Sequence, residues 1–128
     1  MKKILLDTNF LMIPASLRVD IFSEIERIAD FRHEICVLDK SLDELKRIIE
    51  TQKGKHKDAA KLSLQLAHKK NLKILKTESI KNVDEIIAEM ADSKLFIVAT
   101  QDSGLKRRLR ERHVPLIVLR QKKYLKIV

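Results

Sequence analysis

The chain has 128 residues, of which 45% are hydrophobic and 35% charged, enough for one globular domain over residues 1–128 with one core and no room for a second. Its longest clean apolar run, LFIVA at residues 95–99, falls far short of the ~20 residues of a membrane span, and Met1-Lys2-Lys3 precedes only three apolar residues, too few for a signal peptide. A net charge of +9 and a lone cysteine complete the outline: the chain is expected to be cytoplasmic, with no intrachain disulfide.

In chain order, KILLD (3–7) reads as a strand that ends on Asp7, followed by Thr8 and Asn9 before the chain turns apolar again. Leu17, Ile21, Ile25 and Ile28 or Ala29 recur at helical spacing and predict an amphipathic helix over about 16–29. That stripe suits core packing or a homodimer contact. HEICVLD (33–39) is a second strand, with Cys36 read as a buried thiol. A helix from Ser41 to about Glu50, a polar break at TQKGK and a helix over about 56–70 follow. LKILKT (72–77), LFIVAT (95–100) and PLIVL (115–119) are strands, separated by helices at NVDEIIAEMAD (82–92) and SGLKRRLRER (103–112). The tail KYLKIV is expected to add an edge strand. Strands alternating with helices predict an α/β domain: a central, mainly parallel sheet with helices on both faces. His33, His56, His68 and His113 show no zinc-ligand spacing and are expected at the surface or an interface.

In open parallel α/β sheets, ligands bind beyond the carboxyl ends of the strands, so acids at strand-to-helix junctions carry the functional signal. Asp7 ends the first strand, Glu44 lies early in the helix after the second, Asp84 and Glu85 open the helix after LKILKT, and Asp102 follows LFIVAT. Carboxylates converging there would repel one another unless a hard divalent cation held them. Each acid also has an ordinary alternative. Ser41-Leu42-Asp43-Glu44 and Asn82-Val83-Asp84-Glu85 both fit a capping box, and Asp102 fits an N-cap. Asp7 tilts the balance to a metal site, because no cap is expected there. Asp39 and Asp43 are read as solvated.

The segment from Ser103 to Val128 holds nine basic residues against one acid, Glu111, which suits either a solvated face or a polyanion-binding face. Lys106, Arg107 and Arg110 lie on adjacent turns just after Asp102, placed to hold substrate phosphates without reading sequence. With one Tyr, four Phe and no Trp, base stacking is not expected to dominate recognition. A haloacid-dehalogenase-like phosphatase would need a second aspartate where Asn9 stands, and a response-regulator receiver would need acids within residues 2–6, which hold none.

LLDTNFLM, SLDELKRI, NVDEII and IVATQDSGLKRRLRERHVPLIVL together resemble the PIN-domain nucleases across essentially the whole chain. The last segment is most similar to the branch that includes small-subunit pre-rRNA processing endonucleases and their archaeal relatives. The resemblance implies a Rossmann-like PIN fold, acids that bind Mg²⁺ or Mn²⁺, and endonucleolytic cleavage of RNA. Residue by residue, it places the acids at Asp7, Glu44, Asp84 and Asp102, with Asn9 and Thr100 supporting them by hydrogen bonds. Asp7, Asp84 and Asp102 are then metal ligands, and Glu44 a ligand or a base that orients water. Gln101 stands where Asn is usual, and Val83-Asp84-Glu85 where Ala-Asp-Asp is common, so either Asp84 or Glu85 is the third acid. The expected role is rRNA processing with a ribosome-assembly partner, or that of a toxin paired with a small antitoxin; the rival is a non-catalytic RNA-binding scaffold that kept the fold.

Overall fold

In the computed structural model, which describes residues 1–128, the strands are β1 (Lys2–Leu6), β2 (His33–Leu38), β3 (Lys73–Leu75), β4 (Phe96–Ala99), β5 (Leu116–Arg120) and β6 (Tyr124–Ile127). The helices are α1 (Thr8–Leu11), α2 (Ile13–Leu17), α3 (Ile21–Ile28), α4 (Asp39–Thr51), α5 (Lys55–Lys69), α6 (Val83–Met90) and α7 (Ser103–Glu111). One sheet runs β3-β2-β1-β4-β5-β6, parallel throughout except for β6, which returns antiparallel along β5. The expected α/β architecture and the edge strand in KYLKIV are both present. No helix is long and apolar enough to cross a membrane.

Successive strand residues face opposite sides of a sheet, so both faces of these central strands must be apolar. Ile4, Leu6, Val37, Ile97, Ala99, Ile117 and Leu119 point to one side and build the larger core with α1 to α5. Leu5, Cys36, Leu38, Val98, Leu116 and Val118 point to the other and pack against α6 and α7. Cys36 is fully buried, and burial pushes its thiol up to about 11. That makes it an inert core residue.

The helix expected over 16–29 is broken. Thr8–Leu11 and Ile13–Leu17 are already helical, and Arg18 ends the second turn in the left-handed region at φ 56°. Asp20 then restarts the chain by accepting from the Phe22 and Ser23 amides, each at 3.2 Å. Helical spacing cannot reveal such a break, because Leu17 keeps the period while lying on a separate element. Ile21 and Ile25 are fully buried and Leu17 is exposed, so of the two uses expected for the stripe Ile21 and Ile25 serve core packing.

Helix α3 also closes the β6 edge. The outward N–H of Leu125 donates to Glu24 Oε1 at 2.9 Å, Arg27 Nη2 donates to the Leu125 carbonyl at 3.1 Å, and the two side chains pair with each other at 2.9 Å. Unpaired edge groups invite another strand, and these side chains occupy them. Glu24→Ala is expected to speed hydrogen exchange at the Leu125 amide at least about tenfold relative to the β5-bonded Lys126 amide, measured by NMR. Equal exchange in variant and wild type would show that the edge is closed by something else.

Candidate active site

The chain winds outward from β1 through β2 to β3 on one side, then crosses to β4 and β5 on the other. The switch point therefore lies between the carboxyl ends of β1 and β4, where strand-end side chains have space. Asp7 stands there. Its N–H extends the ladder by bonding the Ala99 carbonyl at 3.0 Å, and its side chain is almost wholly buried at 5% exposure. Asp7 Oδ1 accepts from the Thr8 amide at 2.8 Å, and Oδ2 accepts from Thr100 Oγ1 at 3.0 Å. Asp7 is thus the N-cap of the short helix α1, contrary to the expectation that it had no cap to make. The apolar residues after Asn9 hid that helix, which is only four residues long.

Thr100, fully buried at the end of β4, ties two acids together: besides donating to Asp7 it accepts from the Asp102 amide at 3.1 Å. Asp102 caps α7 through Oδ1 to the Leu105 amide at 2.7 Å. Gly104 leaves that oxygen room, since a Cβ there would meet it at 3.3 Å. Gln101 accounts for its departure from the usual Asn. Its longer amide spans to β5, accepting from the Leu119 N–H at 2.7 Å and donating to the Leu119 carbonyl at 3.4 Å. The segment carrying Thr100 and Asp102 is thereby splinted to the sheet beyond the end of β4.

A recess of about 210 Å³ is lined by Asp7, Thr8, Asn9, Glu44, Asn82, Val83 and Asp84. Asn82 caps α6 by accepting from the Glu85 amide at 2.9 Å, as the sequence suggested, which leaves the Asp84 side chain free to face Asp7. Glu85 does not line the recess. Of the two candidates, Asp84 is the one that lines it; Asp102 also lies outside the lining and is linked to Asp7 through Thr100. Asn9 also lines the recess, but its exposed side chain donates to none of the acids, so only Thr100 of the two expected supports does so.

The capping reading of Ser41 and Glu44 is overturned. Helix α4 starts at Asp39, directly after β2, so Ser41 lies inside the first turn and is fully buried. Thr8 Oγ1 lies 2.9 Å from Ser41 Oγ and 2.8 Å from Glu44 Oε1. Asp39 is not simply solvated either. Its carboxylate accepts from the Lys40 and Thr77 amides and from Thr77 Oγ1, fastening the start of α4 to the loop after β3.

Electrostatics mark this recess off from the rest of the surface. Burial, and then the nearby Asp84 charge, push the Asp7 carboxyl up to about 6 against the Thr100 and Thr8 hydrogen bonds, with Asp102 adding to the rise. Asp84 is raised as well, by burial and then by Asp102, while Arg108 opposes the shift. Sequence reasoning missed Arg108. At 100° per residue along α7, with Leu105 and Leu109 buried, Arg108 falls on the flank toward α6, whereas Lys106 and Arg110 fall toward β5. Burial and the charges of Arg110 and Arg120 lower Lys106, against Asp102, while Arg107 points to solvent. The ion pairs of the chain are Lys3–Glu34, Arg27–Glu24 and Lys81–Glu89, and none serves the recess. A larger open groove of about 570 Å³ lies between α2 and α5, but Asp58 is its only acid.

These features define an α/β domain in which Asp7, Glu44 and Asp84 line one recess at the switch point of a doubly wound parallel sheet. The model of the PIN-like domain family matches residues 4–122, and the chain belongs to that family. It is 37% identical over 128 residues to ribonuclease VapC4 of Methanocaldococcus jannaschii, covering 99% of this chain and 97% of the relative. It is 29% identical over 117 residues to ribonuclease VapC9 of Archaeoglobus fulgidus, covering 91% and 82%. The structure of the PIN domain endonuclease Utp24 aligns with a TM-score of 0.79 at 20% identity, over 98% of this chain and 90% of that one, which shows a common fold.

Proposed function

We propose that this chain is an endoribonuclease that hydrolyses RNA phosphodiester bonds with Mg²⁺ or Mn²⁺. The observation that carries the reading is Asp7: a carboxylate buried at the switch point, raised by that burial and then by Asp84, and offered no Lys or Arg partner. The donors around it are all oxygen, the set that hard divalent cations prefer. No three of the acids stand close enough together to share an ion, so Asp84 or Asp102 would have to turn toward Asp7 to hold one. Asp7, Asp84 and Asp102 would hold the ion. When bound, it supplies counter-charge for the phosphoryl oxygens and acidity for the attacking water. Glu44, held at Oε1 by Thr8, offers its other oxygen to orient that water and accept its proton. The relatives in M. jannaschii and A. fulgidus carry the name ribonuclease, which supports RNA as the substrate.

The test is incubation of purified protein with structured and with single-stranded RNA in Mn²⁺, Mg²⁺ or EDTA, alongside Asp84→Asn and Asp102→Asn. Asn caps a helix about as well as Asp, so the metal-free melting temperature of Asp102→Asn should match wild type within the effect of roughly 0.5 kcal/mol. Cleavage and Mn²⁺-induced stabilisation should both be lost. Wild type that leaves RNA intact with either ion would sink the proposal. Isolation of the complex from cells then separates the two roles: an RNA-processing enzyme brings ribosome-assembly factors, and a toxin brings a small antitoxin.

The basic segment has its own test. Replacing Arg107 and Arg110 together by Gln is expected to weaken binding to unrelated RNAs alike and to lower the salt dependence by roughly one to two counterions. An unchanged slope would make that side of α7 a solvated face, and Arg108→Gln would then be the variant to compare.

A further inference from the structure

Ser41 is a hydroxyl at 0% exposure inside the first turn of α4, and burying a polar group without a partner costs free energy. Its only side-chain partner is Thr8 Oγ1 at 2.9 Å. Thr8, itself buried, also reaches Glu44 Oε1 at 2.8 Å. A threonine hydroxyl carries one proton and can donate it once. An ionised carboxylate has none to give, so the short Thr8–Glu44 contact is a bond only if Thr8 donates into it. Ser41 must then donate to Thr8.

Resting on the nuclease reading for its functional consequence, we propose that Ser41 is a positioning residue: its buried hydroxyl donates to Thr8 Oγ1 and commits Thr8's one proton to Glu44 Oε1. The hydrogen bonds run in one direction, from Ser41 through Thr8 to Glu44. Glu44 is otherwise solvent-exposed on α4, with several rotamers open to a glutamate on a helix surface. Nothing else in the structure donates to its carboxylate. Without Ser41, Thr8 can turn toward other acceptors and Glu44 swings free of the recess. Charge-assisted bonds are roughly twice as strong as neutral ones, which gives the last link its hold and makes the direction of the first decisive.

Two substitutions test the relay. Ser41→Ala removes the first donor and favours the helix, so the chain should fold; Thr8→Val removes the middle hydroxyl while keeping a similar shape, and should give the same result. In a crystal structure of metal-free Ser41→Ala, Glu44 should leave Thr8 and spread over alternative rotamers. In RNA cleavage with Mn²⁺, kcat should fall by about tenfold with KM unchanged, because a misplaced base affects the chemical step rather than binding. In a Glu44→Gln background, Ser41→Ala should lower kcat no further, since both changes act through one side chain. A Glu44 that stays on Thr8 in the variant, or an equal loss of kcat in both backgrounds, would overturn the proposal and leave Ser41 as a packing residue. If wild type cleaves no RNA, the nuclease reading fails by itself, and the crystallographic arm still decides whether Ser41 sets the position of Glu44.

Discussion

Asp7→Asn is expected to stabilise the metal-free protein and to abolish cleavage. Burial and the Asp84 charge hold the Asp7 carboxyl near 6 in the folded chain, against an ordinary 3.8. The folded state therefore binds this proton more tightly than the unfolded state does, so stability from this group is full below about pH 4. It is lost as pH rises through about 6, and ionised Asp7 is a net liability above that. Raising a carboxyl from 3.8 to about 6 corresponds to about 3 kcal/mol. Asn cannot ionise. Its Oδ1 can keep the Thr8 amide while its Nδ2 donates to Thr100 Oγ1, although the Thr100 proton then loses its acceptor. The net gain at pH 7.5 in EDTA should be about 1 to 3 kcal/mol, several degrees in melting temperature for a chain of this size. At pH 4 the difference should vanish. Mn²⁺ at a hundred times its dissociation constant should close or reverse the gap, since it stabilises only the binding-competent protein, by about 2.7 kcal/mol. A variant less stable than wild type at pH 7.5 in EDTA, or one that still cleaves RNA, would mean that Asp7 is a structural cap and not a charge awaiting a cation.

Much of this site is legible in the sequence because strand ends in a parallel sheet are legible. Asp7 follows two leucines that must be buried, and Asp102 follows FIVAT, so both acids are placed at the same edge by periodicity alone. Asp84 is placed by the N-cap at Asn82, which fixes which of two neighbouring acids turns inward. What escapes the sequence depends on where helices begin. Starting α4 at Ser41 makes that serine an exposed cap, whereas starting it at Asp39 turns the same serine into the core against Thr8. The first three residues of a helix differ little in composition, and only the packing of Leu42 and Leu45 settles its phase. Arg108 escapes for a related reason. Its charge is evident, but its direction follows from how α7 leans on α6, which a single helix does not encode.

Thr100→Val is expected to show that one neutral side chain sets the working range of the acids. Thr100 is the only side chain donating to Asp7 Oδ2, at 3.0 Å, and its oxygen accepts the Asp102 amide at 3.1 Å. Valine keeps the branched shape and strand preference but leaves the buried Asp7 carboxylate without that donor and the Asp102 N–H without its acceptor. Leaving such groups unmet costs about 1 to 3 kcal/mol. Because the Thr100 bond favours the charged form of Asp7, its loss moves that carboxyl further above about 6. The destabilisation should therefore be larger at pH 8, where Asp7 is ionised, than at pH 5, where it is mostly protonated. A hydrogen bond to a charged group is worth about 1.5 to 3 kcal/mol, so the acid limb of the cleavage profile in Mn²⁺ should shift upward by about one to two pH units. Thr100→Ser retains the hydroxyl and should follow the wild-type limb, with a modest stability loss from the missing methyl. The comparison of Val with Ser separates the hydrogen bond from the packing. A Thr100→Val profile that superposes on wild type would mean that Asp7 is kept ionised by the metal alone, and that Thr100 contributes to the fold but not to the chemistry.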